Sequence, residues 1–485
     1  MKPITGLFLG AGASYEAGMP LAWELTAEIK NWLTADKLRL LNKGWRVQGG
    51  GHSDQVINDC IVMLENPAAH YEAVLGHLET QFRRQRDNKL LQEYHGLYSW
   101  LVELVSHLLY YRQVNNPVII GKALRYYEGI RALADASTSL WIFSLNHDVI
   151  VEMIAARYAI PLHTGFSETI VTLPRRDAAG HIKGHIRAQV LRKQEFEKYA
   201  MNFPNPPKLG IYLLKIHGAL DIFTFNDGED LLKLLPDSPG ENAVTDVLRA
   251  ANEDLFYPFP GIPGGRLKAT NEISYMDEQG ILQFLRRSLL AGAYKFDPRR
   301  SHVLPQRMLK HFQENLNFVS DLACIGYSFG DSHVNTTIRE WLELTSERRL
   351  EIVAPIDQPV PGFLLHLAPQ VTITKSTATD YLDHKGRIVR SEAEKSEKRL
   401  SATLQALGKE RAQAALASFA RKNQQEMSRA LLQKLSQLPL IDGKPDFGAL
   451  GDPNEVAKQW AAELKPSQEQ LVERLLDHLG ANQSN

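Results

Sequence analysis

The 485-residue chain predicts an α/β fold: a Rossmann-like parallel sheet with a large helical insertion, followed by an α-helical C-terminal module. Three observations carry that expectation. Short apolar runs of strand length end abruptly on glycine or polar residues, as strands covered on both faces do. Between the first two runs lies a long stretch whose apolar residues recur at i, i+3 and i+4. Beyond about residue 385 the composition shifts to Ala, Gln, Lys, Glu and Leu, and the strand signal stops.

Taken in order, Ile4–Leu9 reads as the first strand, running into the turn Gly10-Ala11-Gly12-Ala13-Ser14 and a helix from about Ser14. Residues 20–135 form the helical insertion, with Val74, Leu75, Leu78 and Phe82, then Leu97, Leu101, Leu104, Val105 and Leu108, at helical spacing. Gly49-Gly50-Gly51 marks a loop inside it. Leu140–Leu145 is the second strand and Val149–Tyr158 the helix after it. The stretch 165–208 is polar and basic, holding Arg175, Arg176, Lys183, Arg187, Arg192 and Lys193, and ends in the loop signal Pro204-Asn205-Pro206-Pro207. A third strand, Ile211–Ile216, is followed by an irregular region with Pro258, Pro260, Pro263, Gly264 and Gly265 that reads as a lid over a cleft. Leu322–Ile325 and Leu350–Val353 are two more buried strands with the helix Asn335–Leu344 between them, and Val371–Thr374 is the last strand. The expected domains are therefore 1–384 and a helical module 385–485, in which Leu400, Leu404, Leu407, Ala415, Phe419, Leu431, Leu432 and Leu435 could line one face. That module serves either as a packing layer or as a surface for assembly or partner docking.

With 55 basic and 56 acidic residues the net charge is −1, so no global basic field points to nucleic acid or an anionic membrane. Direct nucleic-acid binding is neither indicated nor excluded. The two cysteines, Cys60 and Cys324, rule out a disulfide framework and a four-cysteine zinc site. No stretch is long and apolar enough for a membrane span or an export signal, and a cytoplasmic location is the expectation.

Four polar motifs follow the apolar runs: Gly10–Ser14, Asn146-His147-Asp148, His217-Gly218 and Gly326-Tyr327-Ser328-Phe329-Gly330-Asp331. In open parallel sheets ligands bind beyond the carboxyl ends of the strands, where these residues fall. Gly10, Gly12 and Ser14 at a strand-to-helix turn suit close approach of a pyrophosphate, with a helix N-terminus behind it. Tyr15 breaks the glycine spacing of hydride-transfer Rossmann enzymes, and no acidic residue closes a second strand about 20 residues on. An amide at Asn146 can position water or bind a ribose hydroxyl, a carboxylate at Asp148 can stabilise a developing cation, and His217 can move a proton near neutral pH. Asp148 equally suits a cap for the next helix, and His217 a structural strand-end role. Gly326, Tyr327 and Ser328 could hold the other side of a dinucleotide. His181 and His185 have the spacing of a metal pair but lack a third ligand, so no metal is expected.

As a set, Gly10-Ala11-Gly12-Ala13-Ser14, Asn146-x-Asp148 and His217-Gly218 resemble the GAG-x-S, N-x-D and HG elements of the sirtuin superfamily. The block 326–331 resembles the GYSF-x-D element of bacterial defence-associated sirtuin-like proteins. The resemblance covers roughly 1–380 and departs from the protein-deacylating members in two ways: the paired CxxC zinc module is absent, and Leu145 stands where deacylases have Gln. It implies NAD+ as substrate, cleaved to nicotinamide and ADP-ribose during phage infection, with Asn146, His217 and Asp148 as catalytic residues. Gly10, Ala11, Gly12, Ala13, Ser14, Gly326, Tyr327 and Ser328 would be the binding residues. It further implies a homo-oligomer or a HerA-family ATPase or Argonaute-like partner, and low activity until assembly changes. A non-catalytic NAD or ADP-ribose sensor is the alternative, and a zinc-free deacylase ranks last.

Overall fold

A computed structural model describes residues 4–136, 139–176, 181–198, 201–205, 207–225, 230–252, 254–258, 266–270, 274–276, 282–284, 286–288, 303–441, 444–446 and 452–480. The chain divides into two compact units, 1–388 and 389–485.

The first unit is built on strands β1 (Thr5–Leu9), β2 (Leu140–Ser144), β3 (Leu162–His163), β4 (Ile170–Arg176), β5 (Ile182–Leu191), β6 (Ile211–Lys215), β7 (Ile222–Phe225) and β8 (Asp230–Leu235). Two short antiparallel pairs follow, β9 (Asp254–Pro258) with β10 (Arg266–Thr270) and β11 (Ser274–Met276) with β12 (Leu282–Phe284). Then come β13 (Arg286–Arg287), β14 (Asp321–Ile325), β15 (Arg349–Ala354) and β16 (Val371–Lys375). The principal sheet has seven strands in the order β16-β15-β14-β1-β2-β6-β3, with every pairing parallel. The α/β fold read from the sequence is thus present. From β1 the chain builds towards β3 on one side and, through β14, towards β16 on the other. The β1/β14 boundary is therefore the topological switch point, where open α/β sheets place their ligands.

Both faces of this sheet are covered, which is why its central strands read as unbroken apolar runs. Alternation divides each strand between two cores. Leu7, Leu9, Ile142 and Leu213 join a core with the helical insertion, while Phe8, Trp141, Phe143 and Leu214 pack with Phe312, Ile338 and Trp341. The insertion comprises α1 (Ala22–Trp32), α2 (Ala35–Val47), α3 (Asp54–Glu65), α4 (Tyr71–Arg84), α5 (Asn88–Asn115), α6 (Pro117–Leu124) and α7 (Gly129–Ala136), all between β1 and β2 as expected. Side-chain caps start two of them: Thr34 Oγ1 accepts the Lys37 N–H at 3.3 Å, and Asp87 Oδ1 accepts those of Lys89 and Leu90 at 2.8 and 3.0 Å.

Two local readings are corrected. The helix expected from about Ser14 is instead a pair of 3₁₀ turns, Ala11–Ala13 and Tyr15–Ala17, and α1 begins only at Ala22. Gly18 at φ 92° stops the second turn in the left-handed region, and the Leu21 N–H then donates to Glu24 at 3.1 Å to open α1. The polar, basic stretch after residue 165 contains β4 and β5 of a second, five-stranded antiparallel sheet, ordered β13-β7-β8-β5-β4. In β5, Ile186, Ala188 and Val190 are buried while Lys183, His185 and Arg187 are exposed, a period-two pattern. Lys183, His185 and Arg187 thus form a solvated face of that sheet. Of the lid reading, Pro258 ends β9, while Pro260, Pro263, Gly264 and Gly265 lie outside the described residues.

The remaining helices of the first unit are α8 (Ile150–Arg157), α9 (Lys193–Lys198), α10 (Glu241–Ala251), α11 (Val303–Leu316), α12 (Ser332–Glu343) and α13 (Ala378–Gly386). The second unit holds α14 (Glu392–Leu407), α15 (Lys409–Ser436), a minimal hairpin of β17 (Leu440–Ile441) and β18 (Lys444–Pro445), α16 (Pro453–Leu464) and α17 (Gln468–His478). Capping boxes at Ser391 and Ser467 open α14 and α17. Within this unit Gln468 reaches Glu397 at 3.0 Å, tying α17 to α14. Among the described residues of the chain no helix is long and apolar enough to cross a membrane.

Candidate functional site

Sheet register is what brings the four motifs together. Leu9 is level with Ser144 on β2 and with Ile325 on β14, and Ser144 is level with Lys215 on β6. The backbone ladder continues one step further: the N–H groups of Gly10, Leu145 and Ile216 donate to Ile325, Leu9 and Ser144 at 3.0, 3.0 and 2.9 Å. Four chain segments therefore leave the sheet at one height, and the residues that follow share its carboxyl edge.

The first and last turns meet through their glycines. Gly12 N–H donates to the Gly326 carbonyl at 3.0 Å. A Cβ on Gly10 would stand 2.5 Å from the Gly326 oxygen, and one on Gly12 2.7 Å from Gly326 Cα. Gly326 itself sits at φ 63°. These glycines let two backbones touch, which is a packing role. The N–H groups of Gly10, Gly12, Ala13 and Ser14 are all spent on protein carbonyls. The expected row of amides ready for a pyrophosphate, backed by a long helix, is not how this turn is built. Ala11 and Ser328 are the members of the two turns exposed to solvent, together with Gly330.

Ser14 is 4% exposed and joins two of the proposed catalytic side chains. The Asn146 amide donates to Ser14 Oγ and to the Gly10 carbonyl, both at 2.9 Å. The Ser14 hydroxyl in turn bonds to the Asp148 carboxylate. Asp148 also accepts the N–H of Ile150, the first residue of α8, at 3.0 Å, while the N-cap position itself is Val149. Burial pushes the Asp148 carboxyl above its ordinary range, opposed by the Lys215 ammonium and by the bonds from Ile150 and Ser14.

Lys215 is the residue the motif reading missed. It is 3% exposed, and its ammonium donates to the backbone carbonyls of Asn146 (3.2 Å) and Asp148, fixing the shape of the segment between them. It also lies 3.5 Å from Glu152, which faces Lys233 at 3.2 Å, and Lys233 pairs with Asp221. All four charges are buried. Burial works to raise Glu152, but Lys215 and Lys233 overcome it and hold the carboxyl below its ordinary range. Asp221, with one ammonium at hand, is raised by its burial. A lysine inside the apolar run Ile211–Ile216 was the available signal, because a buried ammonium needs partners.

His217, 4% exposed, follows β6. Its Nε2 lies 3.3 Å from Asp331 Oδ2, and its ring centroid 6.3 Å from that of His147, the neighbour of Asn146. Gly218 at φ 79° lets the Ser288 carbonyl come close. Tyr327 is a support: its ring packs on Phe8 and Phe329, with centroids at 5.1 and 4.8 Å, and its hydroxyl donates to Asn335 Oδ1 at 2.9 Å. Among the described residues no group of three or more His, Cys, Asp or Glu could hold a metal ion; His185 lies on β5. Cys60 and Cys324 are buried thiols, and burial pushes that of Cys60 up to about 12.

The arrangement offers a carboxylate, an amide oxygen and an imidazole–carboxylate pair at one sheet edge. Such a set can orient a water, accept its proton and stabilise a cation.

No protein-family model matches the chain, and no curated protein matches it. Among solved structures, a mutant Sir2 homologue in complex with ADP-ribose is similar at a TM-score of 0.32 and 10% identity, covering 80% of this chain and 92% of that one. A Sir2 homologue–NAD complex is similar at a TM-score of 0.33 and 10% identity, with 80% and 89% covered.

Proposed function

We propose that the protein is an NAD+ glycohydrolase, releasing nicotinamide and ADP-ribose, that acts as a regulated effector in anti-phage defence. The observation that carries the reading is the shared sheet edge: Ser14, Asn146 and Asp148 form one hydrogen-bonded cluster there, and His217 and Asp331 meet at its side. The motif resemblance to sirtuin-like proteins supplies the substrate. In the reaction the bond between the ribose C1′ and the nicotinamide nitrogen breaks, and nicotinamide leaves with the electron pair. The Asp148 carboxylate favours the cationic C1′ left behind. Asn146 spends its amide N–H groups on Gly10 and Ser14, so its Oδ1 is the atom that orients water. That water forms the new bond to C1′ and passes a proton to His217. The dinucleotide reaches the edge over Ala11 and Ser328.

The zinc module of deacylases has no counterpart in a chain of two cysteines, so hydrolysis ranks above deacylation. The sensor reading is favoured by one observation, the Asn146 amide already spent within the protein. Product analysis of NAD+ incubated with the full chain separates them. Stoichiometric nicotinamide and ADP-ribose support hydrolysis, whereas thermal stabilisation by NAD+ without cleavage supports a sensor. His217→Ala should lower turnover about 10²–10⁴-fold, and wild-type turnover by that variant would refute the assignment. Restraint by a homo-oligomer or by an ATPase or Argonaute-like partner is tested by comparing rates for the isolated protein and its assemblies. Equal, high rates would argue against it.

A further inference from the structure

We infer that Asp331 is a positioning residue for His217, setting the orientation and proton of the imidazole while it caps the following helix. The inference rests on the hydrolytic reading for its consequence, but its geometry is independent of it. One carboxylate serves two neighbours. Oδ1 accepts the N–H groups of His333 and Val334 at 3.1 and 3.3 Å, starting α12, and Oδ2 lies 3.3 Å from His217 Nε2. Both side chains are largely withdrawn from solvent, His217 to 6% and Asp331 to 13% exposure.

The segment that carries Asp331 is tightly held. The Tyr327 hydroxyl accepts the Asp331 N–H at 3.3 Å, and the Asn335 amide donates to the Phe329 carbonyl at 2.8 Å. Phe329 adopts φ 57°, a left-handed conformation that a bulky residue keeps only where its surroundings enforce it. These contacts fix the backbone from which the carboxylate is aimed. Among the described residues, Asp331, from the start of α12, and His147, from the segment after β2, are titratable groups set against the ring. Lys215, two residues before His217, is engaged with Glu152 and two carbonyls.

A carboxylate beside Nε2 favours the proton on that nitrogen, which makes Nδ1 the acceptor of the neutral ring. A base that must take a proton from water needs that tautomer held, and a carboxylate beside the ring supplies it. The same charge stabilises the imidazolium formed once the proton has moved.

Asp331→Asn in the full-length protein separates the two roles, because an Asn oxygen caps a helix about as well as a carboxylate. Two readouts are compared: nitrogen-15 signals of the His217 imidazole, assigned by their loss in His217→Ala, and the kinetics of NAD+ cleavage against pH. The expected result is a loss of the Nε2-protonated tautomer, an unchanged melting temperature, and kcat lower by about 10²-fold at nearly constant KM. Asp331→Glu should recover part of the rate. A wild-type imidazole spectrum in Asp331→Asn overturns the inference, whatever the activity. If the wild-type protein does not cleave NAD+ yet the spectrum changes as described, the hydrolytic reading falls and the Asp331–His217 coupling stands.

Discussion

Two buried polar clusters share Lys215 and differ in how their charges are compensated. In the first, Ser14, Asn146 and Asp148 are joined by hydrogen bonds, and the one carboxylate stays above its ordinary range because Lys215 only partly offsets its burial. In the second, Glu152 lies between Lys215 and Lys233, and its carboxyl falls below the ordinary range despite complete burial. Asp221 in the second cluster is raised by its burial as Asp148 is, but Asp148 lies at the sheet edge, where a carboxylate so raised stores electrostatic cost that a cationic ligand can relieve. The second cluster braces α8, β6 and β8 behind the first.

The largest expected effect breaks that balance. Glu152→Gln removes the carboxylate that Lys215 and Lys233 both face, and removing one member of a buried ion pair costs about 3–5 kcal/mol. Chemical denaturation should show that loss at pH 7. The pH dependence gives an independent reading. Glu152 is held below its ordinary 4.5 in the folded protein, so its contribution is present above that value and disappears as pH falls through the lower, folded value. In Glu152→Gln the acid limb of the stability curve should therefore be shallower. An unchanged acid limb would show that the balance lies elsewhere in the cluster.

The second effect is on activity. Asp148→Asn keeps an oxygen to accept from Ile150 and from Ser14, so the fold should survive with stability changed by less than about 1 kcal/mol. Loss of the charge should lower NAD+ turnover about 10²-fold. The two clusters would then differ as the charges require, one variant losing stability and the other rate. If Asp148→Asn unfolded as readily as Glu152→Gln, the distinction between them would be lost.

What could be read in the sequence follows from which faces are covered. Strands β1, β2, β6, β14 and β15 were legible because both of their faces are packed, leaving near-continuous apolar runs. Strand β3 is two residues long and carries no pattern. Strand β5 has one solvated face, and Lys183, His185 and Arg187 on it hid the buried Ile186, Ala188 and Val190 between them. At the site, residue type and position beyond a strand could be read, but register could not. No local signal says that the Ser14 hydroxyl bridges Asn146 and Asp148, which lie more than a hundred residues away along the chain. Nor does one say that Gly12 is needed because Gly326 packs against it. Those depend on β1 lying between β2 and β14.

The smallest effect tests the bridge itself. Ser14→Ala removes an acceptor from the Asn146 amide and a donor from the Asp148 carboxylate, and each lost buried bond costs about 1 kcal/mol. Because the Ser14 bond pulls Asp148 downward, its removal should lift an already raised carboxyl further. A carboxyl raised in the folded state binds its proton more tightly there than in the unfolded chain. Its penalty is absent when both states are protonated and grows as pH rises through the folded value. Ser14→Ala should therefore be more destabilising at neutral than at mildly acid pH, the same direction as Glu152→Gln but smaller. The acid limb of its turnover should likewise move to higher pH, since the ionised Asp148 is then reached later. A Ser14→Ala penalty that did not vary with pH would mean that the hydroxyl serves Asn146 alone, and the first cluster would reduce to a neutral brace for the Gly10 turn.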